Sequence, residues 1–319
     1  MTRARTLGER WIAPGVVVLL FALQFVLPAY GHASMTRILV LAVFATGYNL
    51  AFGYAGLLSL GHAMFFAAGL YGAGLTVVYL DVTAPTAFAV GGLAGLALSV
   101  AVGAIALRTT GVAFMIVTLM LAQAAFLTIL TLNDVTHGDE GFVMPAASRL
   151  WHLAGFELDL SDGGTRYNAA LGLFAAAYGL SLFVIRSPIG RVLAGVRENE
   201  ERVSMLGYDT QRYKLLALAL SGTLAGMAGA LYALLFGYVG ATFASIQYSI
   251  LPLLWVLLGG AGTALGPLIG TGLMFVLIDR LSGVTSSYLI AVGVVLIVLV
   301  VAFPKGIAGT IRDRLERSP

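Results

Sequence analysis

The chain has 319 residues, 59% of them hydrophobic and only 10% charged, with a formal charge of +3. Soluble domains carry about 25% charged residues, so a globular aqueous fold could not hide this much apolar surface, and lipid is the solvent that the composition fits. The apolar runs are continuous and so exclude a transmembrane β-barrel, whose strands alternate, while the lack of cysteine excludes a disulfide framework and a thiolate metal site.

A hydrocarbon core about 30 Å thick takes about 20 apolar residues per helix. The first such run, 11–30, follows Arg3, Arg5 and Arg10. It is long for a signal-peptide core and ends in Pro28-Ala29-Tyr30, a poor cleavage site, so an anchor helix is expected. The block 38–80 would reach about 63 Å as one helix, two membrane thicknesses. Gly53, Gly56 and Gly61 with Ser59 are expected to break it into spans 38–55 and 60–80. Spans 85–107, 112–132, 168–185 and 213–236 follow. The run 246–278 is again overlong, at about 50 Å, and Gly259-Gly260-Ala261-Gly262 with Gly266-Pro267 should divide it into two short, closely joined segments. A last span covers 285–303. The expectation is an all-α polytopic membrane protein of about ten spans, a single domain over 1–319.

Basic residues set the orientation of such a chain. With the N-terminus in the cytoplasm, 14 of the 18 Lys and Arg fall inside and only Arg37, Arg149, Arg166 and Arg280 fall outside. A nine-span count would put Lys305, Arg312, Arg314 and Arg317 outside, which supports the split at 259–267. Both termini are then cytoplasmic. The loop 133–167 faces out and is acidic, through Asp134, Asp139, Glu140, Glu157, Asp159 and Asp162; it is either a solvated loop or a surface that receives a soluble partner.

All 15 carboxylates fall in expected loops, tails or span ends. Ionisable groups inside spans are costly and mark ion pathways where they occur. Their absence argues against proton- or sodium-coupled transport, against an intramembrane hydrolase and, more weakly, against a cation channel lined by acidic rings. The only lysines, Lys214 and Lys305, follow Tyr213 and Pro304, so no Walker A loop can be built. His32, His62, His137 and His152 are too dispersed for a metal cluster. No cofactor, metal or catalytic set is expected, and the clustered basic loops report orientation and not nucleic-acid binding.

The charged stretch 186–212 reads as a short helix pair on the cytoplasmic side. Ser187-Pro188 is a start signal; Val192, Val196, Val203 and Leu206 fall on one stripe, with Arg191, Glu198, Glu201 and Arg202 around it. That pattern suits docking of a soluble subunit, and it is shared by connectors that lie on the membrane surface.

Four stretches resemble a known family. They are Gly53-Tyr54-Ala55-Gly56-Leu57-Leu58-Ser59-Leu60-Gly61-His62-Ala63, the run from Ser187-Pro188-Ile189-Gly190-Arg191 through Arg197-Glu198-Asn199-Glu200 to Leu206-Gly207, Leu257-Leu258-Gly259-Gly260-Ala261-Gly262-Thr263 with Gly266-Pro267, and Phe303-Pro304-Lys305-Gly306-Ile307-Ala308-Gly309. In this order they are similar to the membrane permeases of high-affinity branched-chain amino-acid ABC importers, the LivM-like family. The resemblance implies a type II importer architecture with six spans before the coupling segment and four after it. It implies a second permease subunit of a different sequence, two cytoplasmic ABC ATPases and a periplasmic or extracellular solute-binding protein, in the bacterial inner membrane. It also implies that Gly190, Arg191, Val196, Arg197, Glu198, Asn199, Glu200, Glu201, Leu206 and Gly207 face the ATPase, where nucleotide is hydrolysed.

A break in a span near the substrate path exposes backbone groups that could bind a polar solute. Asn49, Ser59, His62 and Gln123 are therefore expected to border a translocation path; interhelical hydrogen bonding is the other role open to them. Import of branched-chain or related amino acids is the leading functional reading. A stand-alone channel or facilitator for small polar solutes such as urea or amides is the alternative, and it leaves the coupling segment without a task.

Overall fold

The computed structural model describes residues 14–145, 150–153, 156–283, 288–303 and 305–310. The basic N-terminus, Arg149 and the arginines of the C-terminal tail lie outside the described residues. Among the described residues, six helices are long and apolar enough to cross a membrane: α2 with its continuation (Ala29–Tyr54), α3 (His62–Leu80), α4 (Ala84–Ala106), α5 (Gly111–Thr131), α7 (Gly163–Arg186) and α10 (Thr210–Phe236). Four shorter ones complete the bundle: α1 (Pro14–Leu23), α11 (Ile246–Gly259), α12 (Gly266–Ser282) and α13 (Tyr288–Ala302). Between α7 and α10 stand α8 (Pro188–Glu198) and α9 (Glu200–Met205). The fold is an all-α polytopic membrane protein.

The overlong runs break where the glycines stand. The α-helical part of α2 ends at Asn49, a π-helical turn covers Leu50–Tyr54, and the chain is extended or bent until α3 begins at His62. A π turn is a one-residue bulge in the helical ladder that leaves carbonyls out of register. The break between α11 and α12 falls at Gly260 and Gly262, whose φ values of 117° and 75° lie in a region that favours glycine.

The first spans differ from expectation. Instead of one helix over 11–30, α1 ends at Leu23, and α2 starts at Ala29, well before 38, with Pro28 as its extended N-cap. The polar residues 32–37, expected as an outer loop, are helical. Thr36 Oγ1 donates to the His32 carbonyl at 2.8 Å, and the Arg37 guanidinium lies 5.1 Å from the centre of the Phe236 ring. A hydroxyl that bonds back to its own helix and a cation over an aromatic face both lower the cost of carrying polar side chains at a helix end.

The loop between α5 and α7 is structured. It holds α6 (Asn133–Thr136), β1 (Phe142–Val143) and a hairpin of β2 (Leu150–Leu153) with β3 (Phe156–Asp159). Strand β1 pairs antiparallel with β4 (Tyr238–Val239), just after α10. Asp162 caps α7 by accepting from the Thr165 amide at 2.8 Å, and this bond, with a second from the Thr165 hydroxyl, holds its carboxyl below the usual range.

The core is a glycine-lined triple contact among α3, α4 and α10. Gly69 packs against Gly226, Gly91 against the Gly69 carbonyl, and Gly95 against Gly222 and Gly226. A Cβ on Gly226 would lie 2.8 Å from the Gly95 Cα, so the helix axes approach as closely as backbone allows. In lipid, where apolar burial does not drive helices together, such small-residue faces let backbone packing do so.

The connecting segments gather at two ends. At one end stand the 55–58 break, the α4–α5 turn, α8 with α9, the 260–262 loop and the 305–309 segment, which touches Gly260. At the other end β1 meets β4, the Tyr79 hydroxyl donates to the Val135 carbonyl at 3.2 Å, and Tyr30 bonds Asp279. The long helices α2, α3, α4, α5, α7 and α10 therefore alternate in direction between the two ends.

Candidate functional site

The first end holds a compact junction built from three breaks in regular structure. Asn49, the last α-helical residue of α2, is buried and reaches across to the second break. Its Nδ2 donates to the Thr263 carbonyl at 2.9 Å and its Oδ1 accepts from the Gly262 amide at 2.9 Å. One amide side chain thereby satisfies both an acceptor and a donor of the 260–263 loop. The third member is Arg197, in the last turn of α8, whose guanidinium donates to the Gly53 carbonyl in the π turn. Gly56 and Gly262 leave room for it. A Cβ at Gly56 would lie 3.1 Å from Arg197 Cγ, and one at Gly262 would lie 2.9 Å from its Nη1. Arg197 thus bears directly on the broken helix of the first half and on the broken pair of the second.

The helix pair is pinned to the bundle a second time. Lys214, in the first turns of α10, is 4% exposed along its side chain, and its ammonium lies 2.6 Å from Glu200 Oε1. The Thr210 hydroxyl donates to the same oxygen at 2.9 Å. Between the pins, Val192, Val196 and Val203 form a small apolar cluster with Tyr213. Leu206, expected on that stripe, is not part of it: it caps the C-terminus of α9 and is 72% exposed. The stripe ends one turn earlier because α9 stops at Met205, and Gly207, at φ 88°, turns the chain away.

The outward side of the pair carries Met205, Leu206 and Tyr208, all exposed, rimmed by Arg191, Glu198, Glu201 and Arg202, also exposed. Asn199 caps α9 through the Arg202 amide at 2.9 Å. Gly190 lies so close to the Ile185 carbonyl, 2.5 Å from a Cβ placed there, that the α7–α8 corner admits no side chain.

The chain matches, over residues 32–303, the family described as the branched-chain amino acid transport system permease component. The chain belongs to this family. It is similar to the high-affinity branched-chain amino acid transport system permease proteins LivM of Salmonella typhimurium and Escherichia coli, at 25% and 26% identity, over 98% of this chain and 77% of each relative. It is also similar to the permease protein LivH of Salmonella typhimurium, at 24% identity over 86% of this chain and 92% of the relative. No solved structure gives a significant match.

The residues proposed to border a path in this member of the permease family fall into two groups. Ser59 and His62 are, like Asn49, buried within the chain. His62 Nε2 lies 2.8 Å from Ser221 Oγ on α10. Ser59 Oγ accepts from the Gly61 amide at 3.2 Å, and its carbonyl accepts from the Tyr48 hydroxyl at 3.0 Å. The amides freed by the break are taken up in the same way: Leu60 N donates to Thr118 Oγ1 at 3.2 Å and Ala63 N to Ser249 Oγ at 3.0 Å. The break is therefore stitched to α5, α10 and α11, with these amides committed inside the chain. Gln123 differs, standing half-buried on α5.

Sequence reasoning missed Lys214, Thr210 and the Gly262-Thr263 backbone as parts of the junction. Lys214 had a signal: a lone lysine in the first turns of an apolar span is costly unless paired, and the nearby carboxylates of the coupling segment are where a partner would be sought.

Proposed function

We propose that this chain is the membrane permease subunit of an ATP-binding cassette importer that moves branched-chain or related amino acids into the cytoplasm, with ATP hydrolysed in separate subunits. The single observation that carries this reading is the tie from Arg197 to the Gly53 carbonyl, which links an outward-facing helix pair to the broken spans. A soluble ATPase seated on Met205, Leu206 and Tyr208 would move α8 and α9 as a body. Arg197 and the Glu200–Lys214 pair would carry that motion to α2, α10 and the 260–263 loop, in keeping with rigid-element switching. Gly190, Arg191, Glu198, Asn199, Glu201 and Gly207 shape or rim the docking face, and Val196 packs beneath it.

The path runs, on this reading, along the open face of α5 with Gln123 on it, beside a second permease subunit. Asn49, Ser59 and His62 set the position of the wall behind it. The similarity to both LivM and LivH, two permease proteins of one named transport system, supports a partner of different sequence. The opposite, acidic end would receive a solute-binding protein.

Reconstitution tests this. With the neighbouring permease, the ATPases and the binding protein in liposomes, leucine uptake is expected to require both ATP and binding protein; flux through this chain alone without ATP would establish a facilitator instead. Sidedness is tested separately. The chain has no cysteine, so single Asp139→Cys and Glu201→Cys variants, both at exposed positions, are expected to react with an impermeant maleimide from the outer and the cytoplasmic side respectively. Reaction from the same side would overturn the ten-crossing arrangement.

A further inference from the structure

Beside the junction, between the 55–58 break, the α4–α5 turn and the end of α8, lies a cavity of about 340 Å³, small among ligand pockets. Its lining combines charged residues, Arg197, Glu200 and Lys214, with apolar ones, Leu57, Leu58, Phe114 and Met115.

Lys214 is the informative residue. Its ammonium offers three N–H donors, its side chain is 4% exposed, and Glu200 is its one partner among the described residues. Donors left over on a buried ammonium need acceptors, because an unmet charge-bearing group away from water is costly. The cavity is where those acceptors would sit. Two cations and one carboxylate line it, so the lining has room for one more negative charge. The start of α5 lines it as well, and its first amides, which Thr110 leaves without a side-chain cap, add donors. Glu200, with its side chain 34% exposed, can also receive an ammonium.

A molecule with a carboxylate, an adjacent ammonium and an aliphatic side chain matches both the charged and the apolar residues of this lining. An inorganic anion would leave the apolar residues unmatched. We propose that the cavity is a feedback site for an aliphatic α-amino acid on the ATPase-facing side of the permease. The inference rests on the importer reading for its sidedness.

Regulation follows from where the walls come from. The 55–58 break, the start of α5 and the end of α8 are separate elements, and motion of α8 against the broken span changes the shape between them. A ligand shifts such an equilibrium by its differential affinity for the two arrangements. Occupancy holds α8 against the break and slows the cycle, so product accumulated inside restrains further import.

The test uses the whole importer in proteoliposomes with ATP trapped inside, with or without trapped unlabelled leucine, and labelled leucine supplied outside with the binding protein. Trapped leucine is expected to slow initial uptake about 5-fold or more, the scale of ordinary coupling between sites, and trapped acetate is expected to have no effect. Thr110→Trp, which fills the mouth of the cavity from an exposed residue of the α4–α5 turn, is expected to import normally without trapped leucine and to lose the slowing. Val112→Trp closes the same mouth from the first turn of α5 and should also lose the slowing. Undiminished uptake with trapped leucine, slowing that survives both variants, or equal slowing by acetate overturns the proposal. If no ATP-dependent uptake occurs at all, the importer reading fails instead. Calorimetric leucine binding to the purified permease and ATPase assembly without the binding protein then decides the cavity alone: loss of that binding in Thr110→Trp upholds the site, and its absence or persistence rejects it.

Discussion

Arg197→Ala is expected to lower leucine uptake per ATP hydrolysed by about tenfold or more, the scale of a lost hydrogen bond to a charged group, while the chain still inserts and still binds its ATPases. The guanidinium is the bond from α8 to the Gly53 carbonyl, and the exposed apolar residues Met205 and Leu206 stand at the end of α9. Removing Arg197 therefore takes away the bond from α8 to the broken span and leaves Met205, Leu206 and Tyr208 in place. Hydrolysis should continue and transport should fall, and the ratio of the two separates this from misfolding. Arg197→Lys should recover only part of the loss, because an ammonium is a point donor on a flexible stem while the guanidinium fork spans the space between Gly53 and Gly262. Arg197→Glu should be worse than alanine, since it sets a carboxylate against a carbonyl oxygen. Glu198, one residue on, is exposed and lies on the rim. Charge reversal there should weaken docking and lower hydrolysis and uptake together. Unchanged coupling in Arg197→Ala would remove the junction from the transport cycle.

The parts of this molecule that were legible in the sequence are those that length decides. A run of 43 residues between 38 and 80 exceeds any membrane, so a break near Gly53 to Gly61 was forced, and the same arithmetic placed the break between α11 and α12. Helix starts with a side-chain signature were also readable, as at Ser187-Pro188, where the serine accepts from the Gly190 amide at 3.4 Å. What length does not decide was not legible. Polar residues at 32–37 look like a loop until Phe236 supplies a ring for Arg37 and the helix supplies a carbonyl for Thr36. Leu206 shares the spacing of Val192, Val196 and Val203, but periodicity cannot show that α9 ends before it. The role of Asn49 depends on a partner 214 positions away, Thr263, and pairing at that separation is set by how helices pack.

Gly69→Ala and Gly226→Ala are each expected to destabilise the permease by about 1–3 kcal/mol or more, the cost of overpacking a close contact, and Gly172→Ala is expected to be neutral or mildly stabilising. All three are helical glycines, so intrinsic propensity alone predicts a gain of up to about 1 kcal/mol for each. Packing reverses the sign at two of them. At Gly69 a Cβ would lie far inside contact distance of the Gly226 carbonyl oxygen, and at Gly226 it would meet the Gly95 Cα at 2.8 Å and the Gly91 carbonyl at 2.9 Å. Backbone cannot rotate aside as a side chain can, so α3, α4 and α10 must separate, and with them His62 from Ser221. At Gly172, on α7, a Cβ meets nothing within 4 Å among the described residues. Thermal unfolding in detergent, followed by the fraction of protein that remains monodisperse after heating, reads the difference directly. Equal behaviour of the three variants would mean that the triple contact tolerates a methyl group and is not what holds the core. A lower midpoint for Gly69→Ala and Gly226→Ala alone would mark these glycines as the seam on which both halves of the bundle, and the breaks they carry, are aligned.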